Sequence, residues 1–338
     1  MARPAILFAI AVLILQLGFT PIRQARTKPK IANSHSIQSE DTREGRPVMW
    51  EEPVDLETRD LLYGIGGQRG EPDPSAKYRF IERDKAGNSE KIVVEDTRDR
   101  RWTIKFGPEA RPETTASRIA WAVGYHVDQD YFVKRTHVEG RGGFDVWDVR
   151  FERDNDGFKK VARWSWQSNP FVGTREFDGL KTLMALLNNF DLKTLNNKIV
   201  RPSKKKSSED TILIYYVNDL GATLGSTGAW YTNAPFLGEI PTGTKGNAAD
   251  YAGSKFIDEV RGGNVTFHSN RRRAKRAMSG VAIANAQWMG NLLARLSDKQ
   301  LSDAFRAGGF DEKESATYVR TIRDRIKQLQ GLKDNVEY

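Results

Sequence analysis

The sequence predicts an α+β chain of two lobes, an antiparallel β lobe carrying one helix followed by a mainly α-helical lobe. Three observations predict it. Between Tyr78 and Trp166, apolar residues alternate in short runs separated by turn residues, the period of half-buried strands. After Asn169-Pro170 the period lengthens, and Leu180, Leu183, Met184 and Leu187 fall on one helical face. The 338 residues are 38% hydrophobic, which suffices for the core of one large or two modest domains.

The elements follow in chain order. Residues 1–22 hold the uncharged run Ala5–Phe19 behind Arg3, the size of a signal-peptide core rather than a full membrane span. Arg23, Arg26, Lys28 and Lys30 follow it, so an uncleaved segment would by charge leave the body on the cytoplasmic side. Export to the periplasm or cell envelope, or anchoring to a membrane, is expected, with the side left open. Residues 23–55 mix Pro, Ser, Gln and both charges without apolar period and read as a linker. The piece Tyr63-Gly-Ile-Gly-Gly67 resembles a phosphate loop, but Pro72 and Pro74 follow it, so a plain turn is expected.

Strands are expected at Tyr78–Arg83, Lys91–Glu95 and Trp102–Phe106 as a meander, then a helix through Thr115–Val123. Strands at Phe144–Phe151 and Phe158–Trp166 flank Asp154-Asn-Asp-Gly157, a hairpin signal. These elements define an N-terminal lobe over 56–168. A C-terminal lobe over 169–330 begins with the Leu180 helix and a strand pair near Ile199 and at Thr211–Val217. It is read as helical from about 279, where Trp288, Leu292, Leu293 and Leu296 share a face, and residues 331–338 form a tail.

Composition removes whole classes of chemistry. With no cysteine, disulfides, thiolate metal sites and cysteine nucleophiles are excluded. The four histidines lack the spacing of a His-based metal site, so any metal must take oxygen ligands. The net charge is +9, and residues 255–338 carry 16 basic against 10 acidic residues, densest at Arg271-Arg-Arg-Ala-Lys-Arg276. That cluster reads first as a solvated face or loop; as a binding surface it suits an anionic lipid or other polyanion, whereas nucleic-acid binding lacks interleaved aromatics or a helix-turn-helix.

Four motifs occur in a telling order: Trp102-Thr-Ile-Lys105, Glu113 one turn into the next helix, Asp191-Leu-Lys193-Thr-Leu-Asn196, and Asp219-Leu-Gly221 at a strand end. Each alone has an ordinary structural explanation. Together they resemble the strand lysine, helix glutamate, catalytic loop and metal motif of the protein-kinase-like superfamily. The resemblance implies a two-lobed kinase-like fold that binds ATP or another nucleoside triphosphate with Mg²⁺. It implies that Lys105, oriented by Glu113, meets the phosphates and that Asn196 and Asp219 ligate Mg²⁺. Asp191 would receive the proton of an acceptor hydroxyl, with Lys193 near the γ-phosphate. The turn Lys85–Ser89 would lie over the phosphates, with Gly87 allowing close backbone approach and Asn88 or Ser89 donating hydrogen bonds. Glu109 lies one turn before Glu113, and either could begin the helix for dipole reasons.

The chain departs from the family in lacking GxGxxG between the first strands, His-Arg before Asp191 and A-P-E after Asp219. It looks closer to the atypical kinases. Lys105-Phe-Gly-Pro-Glu-Ala-Arg-Pro-Glu113 and Ala120-Trp-Ala-Val-Gly-Tyr125 are similar to bacterial proteins that carry a signal sequence and a phosphatidylinositol-kinase-like domain. That resemblance implies no substrate. The expected function is Mg²⁺-dependent phosphate transfer from a nucleoside triphosphate to a hydroxyl of a protein, lipid or small molecule. The alternative is a catalytically silent kinase-like domain serving as an envelope binding or scaffold module. Gly238–Lys245 nearly matches G-x-x-x-x-G-K with its lysine one place late, and is read as a flexible loop, with a substrate-facing role as the alternative because it follows Asp219 in the place of an activation segment. Trp164 and Trp166 are candidates for walling an adenine pocket or, as alternating strand tryptophans, for core.

Overall fold

Alternating side chains build the first lobe. Strands β2 (Lys77–Asp84), β3 (Lys91–Glu95) and β4 (Arg101–Lys105) pair as an antiparallel meander. They turn Tyr78, Ile92, Val94, Trp102 and Ile104 onto one buried face. Strands β5 (Asp130–Glu139) and β6 (Phe144–Arg153) extend the sheet in the order β2-β3-β4-β6-β5, and β2 pairs parallel to β5 to close a barrel. The computed structural model describes residues 45–84, 90–140, 142–155, 157–203, 211–228 and 243–337. The N-terminal apolar run therefore lies outside the described residues, among which no helix is long and apolar enough to cross a membrane.

Between β4 and β5 runs α2 (Ala110–Ala122), whose Ile119 and Ala120 join the larger core of the second lobe. That core is built by α3 (Arg175–Leu186), α6 (Ile283–Ala294), α7 (Asp298–Ala307) and α8 (Glu312–Gln330). Helices α7 and α8 both start on capping boxes, Ser297 with Gln300 and Asp311 with Glu314. Ser297→Ala removes the oxygen that accepts the Gln300 amide, so we expect a loss of about 1 kcal/mol, read as a fall of roughly 2 °C in Tm by differential scanning fluorimetry.

The two-lobed α+β class predicted from sequence is the class observed, with differences of detail. The Asp154–Gly157 turn does not make a hairpin. Both edges of β6 are taken by β4 and β5, so β7 (Phe158–Ala162) pairs with β8 (Asn197–Pro202) in a second sheet. That sheet has the order β1-β9-β8-β7, where β9 is Ile212–Val217 and β1 is Arg46–Val48. Strand β1 lies within the segment read as linker, and its parallel pairing with Ile212–Ile214 buries Met49 just beyond it. The Gly64 piece is a 3₁₀ turn, Gly64–Gly66, running into a single helical turn, α1 (Gly67–Gly70). A Cβ on Gly66 would lie 2.2 Å from the Tyr131 hydroxyl, so close packing accounts for that glycine without a phosphate.

A third sheet was not expected. Strands β10 (Ile257–Arg261) and β11 (Asn264–Phe267) form a hairpin over Gly262-Gly263, both at positive φ, and are flanked by β12 (Val281–Ala282) and β13 (Val336–Glu337). The region after 279 is thus helical except for these two short edge strands, one of them in the predicted tail. Helices α4 (Ala248–Gly253) and α5 (Arg272–Ala277) are short connectors.

Candidate active site

Strand period places the first functional side chain. Ile104 faces the barrel core, so Lys105, the next residue and the last of β4, faces α2 and the cleft. Its ammonium lies 2.7 Å from Glu109, 3.0 Å from Glu113 and 2.9 Å from Asp219. Glu109 stands at the N-cap position of α2, without a side-chain capping bond, and Glu113 occupies its first turn, where negative charge suits the helix dipole. The sequence left Glu109 and Glu113 as alternatives; the structure has the lysine reaching both. Burial, and then the Arg150 charge, work against the Lys105 charge, but Glu113, Asp219 and Glu109 together outweigh them and hold its pKa above the usual lysine value.

Asp219 follows β9 in the left-handed region at φ +54°, a conformation Asp tolerates better than most residues. Gly221 has a steric reason: a Cβ there would lie 2.5 Å from the Glu109 Cβ. The Asp219 and Asp191 loops are tied together, since Phe190 N donates to Ala222 O at 3.2 Å and Leu224 N to Leu187 O at 2.9 Å. Asn189 Oδ1 accepts from Asp191 N at 2.9 Å and fixes the second loop. There Lys193 Nζ lies 2.7 Å from the Asp191 carboxylate, and Asn196 Nδ2 donates to Asp191 O at 2.8 Å.

Two groups therefore form, Lys105–Glu109–Glu113–Asp219 and Asp191–Lys193–Asn196, and both line one cavity of about 780 Å³. Gly87, Asn88 and Ser89 lie outside the described residues. So does most of Gly238–Lys245, but its Lys245 is described: it lines the same cavity and pairs with Glu109. Trp164 and Trp166 are core, buried against Phe177 with ring centroids 6.3 and 6.0 Å away.

Ligand atoms of Glu109, Glu113 and Asp219 lie within 4.8 Å of one another, a set of oxygen donors able to hold a metal. Lys105 contacts all three of these carboxylates, and only the half-exposed Asp219 offers an open edge. Asn196 commits its amide nitrogen to Asp191, which leaves its oxygen as the ligating atom. Hard oxygen donors at a solvent-reached edge fit Mg²⁺, which keeps several waters.

Several cleft residues were not found from the sequence. Arg150, buried on β6, contacts Glu113 at 2.9 Å, Asp130 at 3.2 Å and Glu152 at 2.7 Å. Burial pushes Glu113 up to about 7, and Arg150 and Lys105 on its two oxygens oppose that. Beyond Glu152, Lys198 pairs with Asp128, to which Asn218 also donates. Burial, then the Glu152 charge, push Asp128 up to about 7. Alternation in β6, which puts Arg150 and Glu152 on the face opposite Phe151, was the available signal.

No family model matches the chain, and no curated protein matches it. Among solved structures it is similar to the Helicobacter pylori proinflammatory kinase CtkA, at 13% identity and a TM-score of 0.42, over 76% of this chain and 94% of that one. It is also similar to the Rio2 kinase of Chaetomium thermophilum, solved as an ADP/Mg²⁺-phosphoaspartate complex. There identity is 10% and the TM-score 0.32, over 74% of this chain and 72% of that one. Overlaps this loose carry no weight for activity; the arrangement of the two lobes stands on the pairing described above.

Proposed function

We propose that the chain is a Mg²⁺-dependent phosphotransferase of the atypical protein-kinase type, moving the terminal phosphoryl group of a nucleoside triphosphate to a hydroxyl. The observation that carries this reading is Lys105 held between Glu113 on α2 and Asp219 beyond β9, in one cavity with Asp191, Lys193 and Asn196. Phosphoryl transfer needs positioning and charge neutralisation more than covalent help, and these are the groups that supply both. Mg²⁺, held by Asp219 and Asn196, would neutralise charge on the phosphate oxygens.

Lys105, restrained by Glu113, holds the non-transferred phosphates. Asp191 accepts the proton of the acceptor hydroxyl as its oxygen forms the new P–O bond. The donor's terminal P–O bond breaks, and its electron pair leaves with the shortened phosphate chain. Lys193, on the Asp191 carboxylate, faces the transferred group. The exposed cations of α5, Arg272, Arg273 and Arg276, support contact with an anionic lipid surface, which would bring a lipid acceptor to the cleft.

The test is transfer of label from γ-³²P-triphosphate by the full chain to protein, lipid and small-molecule pools. Label should move to an acceptor or to water with Mg²⁺ and stay in place with EDTA. A folded protein that moves no label from any Mg²⁺-triphosphate would contradict the proposal. Asp191→Asn should lower kcat about 10²–10⁴-fold while changing triphosphate affinity less than about twofold; equal losses of both would make Asp191 a binding group.

A further inference from the structure

Fourteen of the eighteen described residues lining the cleft are ionisable, three are asparagines, and the one apolar residue, Leu195, is 67% exposed at its lip. Pockets for small organic ligands are lined mainly by apolar and aromatic groups. A nucleobase gains about 1–3 kcal/mol by stacking on an aromatic ring, and against ion pairs it would strip their hydration instead. The two tryptophans that could have supplied such a wall are sealed in the core.

The charges form a continuous path. Lys105 touches Glu113, Glu113 touches Arg150, Arg150 touches Glu152, and Glu152 lies 3.9 Å from Lys198. Beyond Lys198 stand Lys160 and Arg163, both exposed, and neither is paired with a carboxylate among the described residues. Burial pushes the Lys160 pKa down, and the Arg163 and Lys198 charges add to that against Asp128 and Glu152.

Resting on the phosphotransfer reading of this site, we propose that the cleft recognises its donor as a chain of phosphates alone, its described residues offering no seat for a base. The ligand class is a linear polyphosphate, either inorganic or the tail of any nucleoside triphosphate. Lys193 faces the reacting end, Lys105 takes the non-transferred phosphate next to it, and the Lys160–Arg163–Lys198 group takes the far end. With inorganic tripolyphosphate the terminal P–O bond breaks, the phosphoryl group passes to the acceptor hydroxyl, and pyrophosphate leaves with the electron pair.

Isothermal titration of the full chain with Mg²⁺ and tripolyphosphate, ATP, GTP or adenosine tests this. The three phosphates should bind within about threefold of one another, and adenosine should give no heat. ATP tighter than both tripolyphosphate and GTP by about tenfold or more would overturn the base-indifferent site and leave the phosphotransferase intact. No binding of any of the three would overturn both. The double variant Lys160→Gln/Arg163→Gln changes two exposed side chains and should still fold. It should weaken tripolyphosphate about tenfold, more at low salt, and unchanged affinity would overturn the far-end assignment.

Discussion

Asp219→Asn is expected to abolish phosphate transfer, lowering kcat by about 10³-fold or more, with little change in Tm. The carboxylate is the open edge of the Glu109–Glu113–Asp219 cluster and one of three anions on Lys105. Asparagine keeps its size and also tolerates φ near +54°, so the variant removes charge without disturbing the turn. Lys105 retains Glu109 and Glu113, which preserves its position. Steady-state transfer and thermal melting, measured on the same preparation, separate the two effects. Activity within a few-fold of wild type would remove Asp219 from the metal-binding role.

Arg150→Met is expected to be the most destabilising single change in the cleft, by about 3–5 kcal/mol, or roughly 6–10 °C in Tm. Its guanidinium is the shared partner of Glu113, Asp130 and Glu152, and the first two are buried. Removing it leaves Glu113 and Asp130 in low dielectric, with Lys105 still on Glu113, while Glu152 keeps Lys198 at 3.9 Å. Burial already raises the pKa of Asp130 and takes Glu113 to about 7, and losing the opposing Arg150 raises both further. A carboxylate whose folded pKa lies above its unfolded value binds more protons in the native state. Its contribution is present below the unfolded pKa and is lost as pH rises through the folded value. The deficit of the variant should therefore be largest near pH 8 and shrink toward pH 5. Melting curves of both proteins across that range check this, and a deficit that does not vary with pH would contradict it.

Much of the architecture was legible because its causes are local. Alternation in Lys91–Glu95 states which face of the strand is buried and the Leu180 stripe announces a helix; both elements are observed, although α3 is buried on every side from Phe177 to Leu186. The order of Lys105, Glu113, Asp191 and Asp219 along the chain was equally visible. What sequence could not supply was pairing. The Asp154–Gly157 turn has sound turn chemistry, yet β6 has both edges occupied, a fact that depends on β4 and β5 at a distance. Arg150, Glu152 and Lys198 read as outward charges on half-buried strands; only the meeting of barrel and second sheet brings them to one cleft. Strand β1 shows the same dependence, since Arg46–Val48 carries almost no apolar signal and is ordered by the β9 edge it meets. The β10–β11 hairpin, by contrast, was readable from Gly262-Gly263 between alternating residues and was missed.

The central claim is that groups from β4, α2 and the two loops around Asp191 and Asp219 act on one metal-bound phosphate chain. Electron paramagnetic resonance of Mn²⁺, used in place of Mg²⁺, tests it directly. The wild-type chain should take up Mn²⁺ strongly only when a triphosphate is present, and Asp219→Asn and Asn196→Ala should each weaken that uptake about tenfold or more. Uptake that is independent of triphosphate, or equal in wild type and both variants, would contradict the assignment.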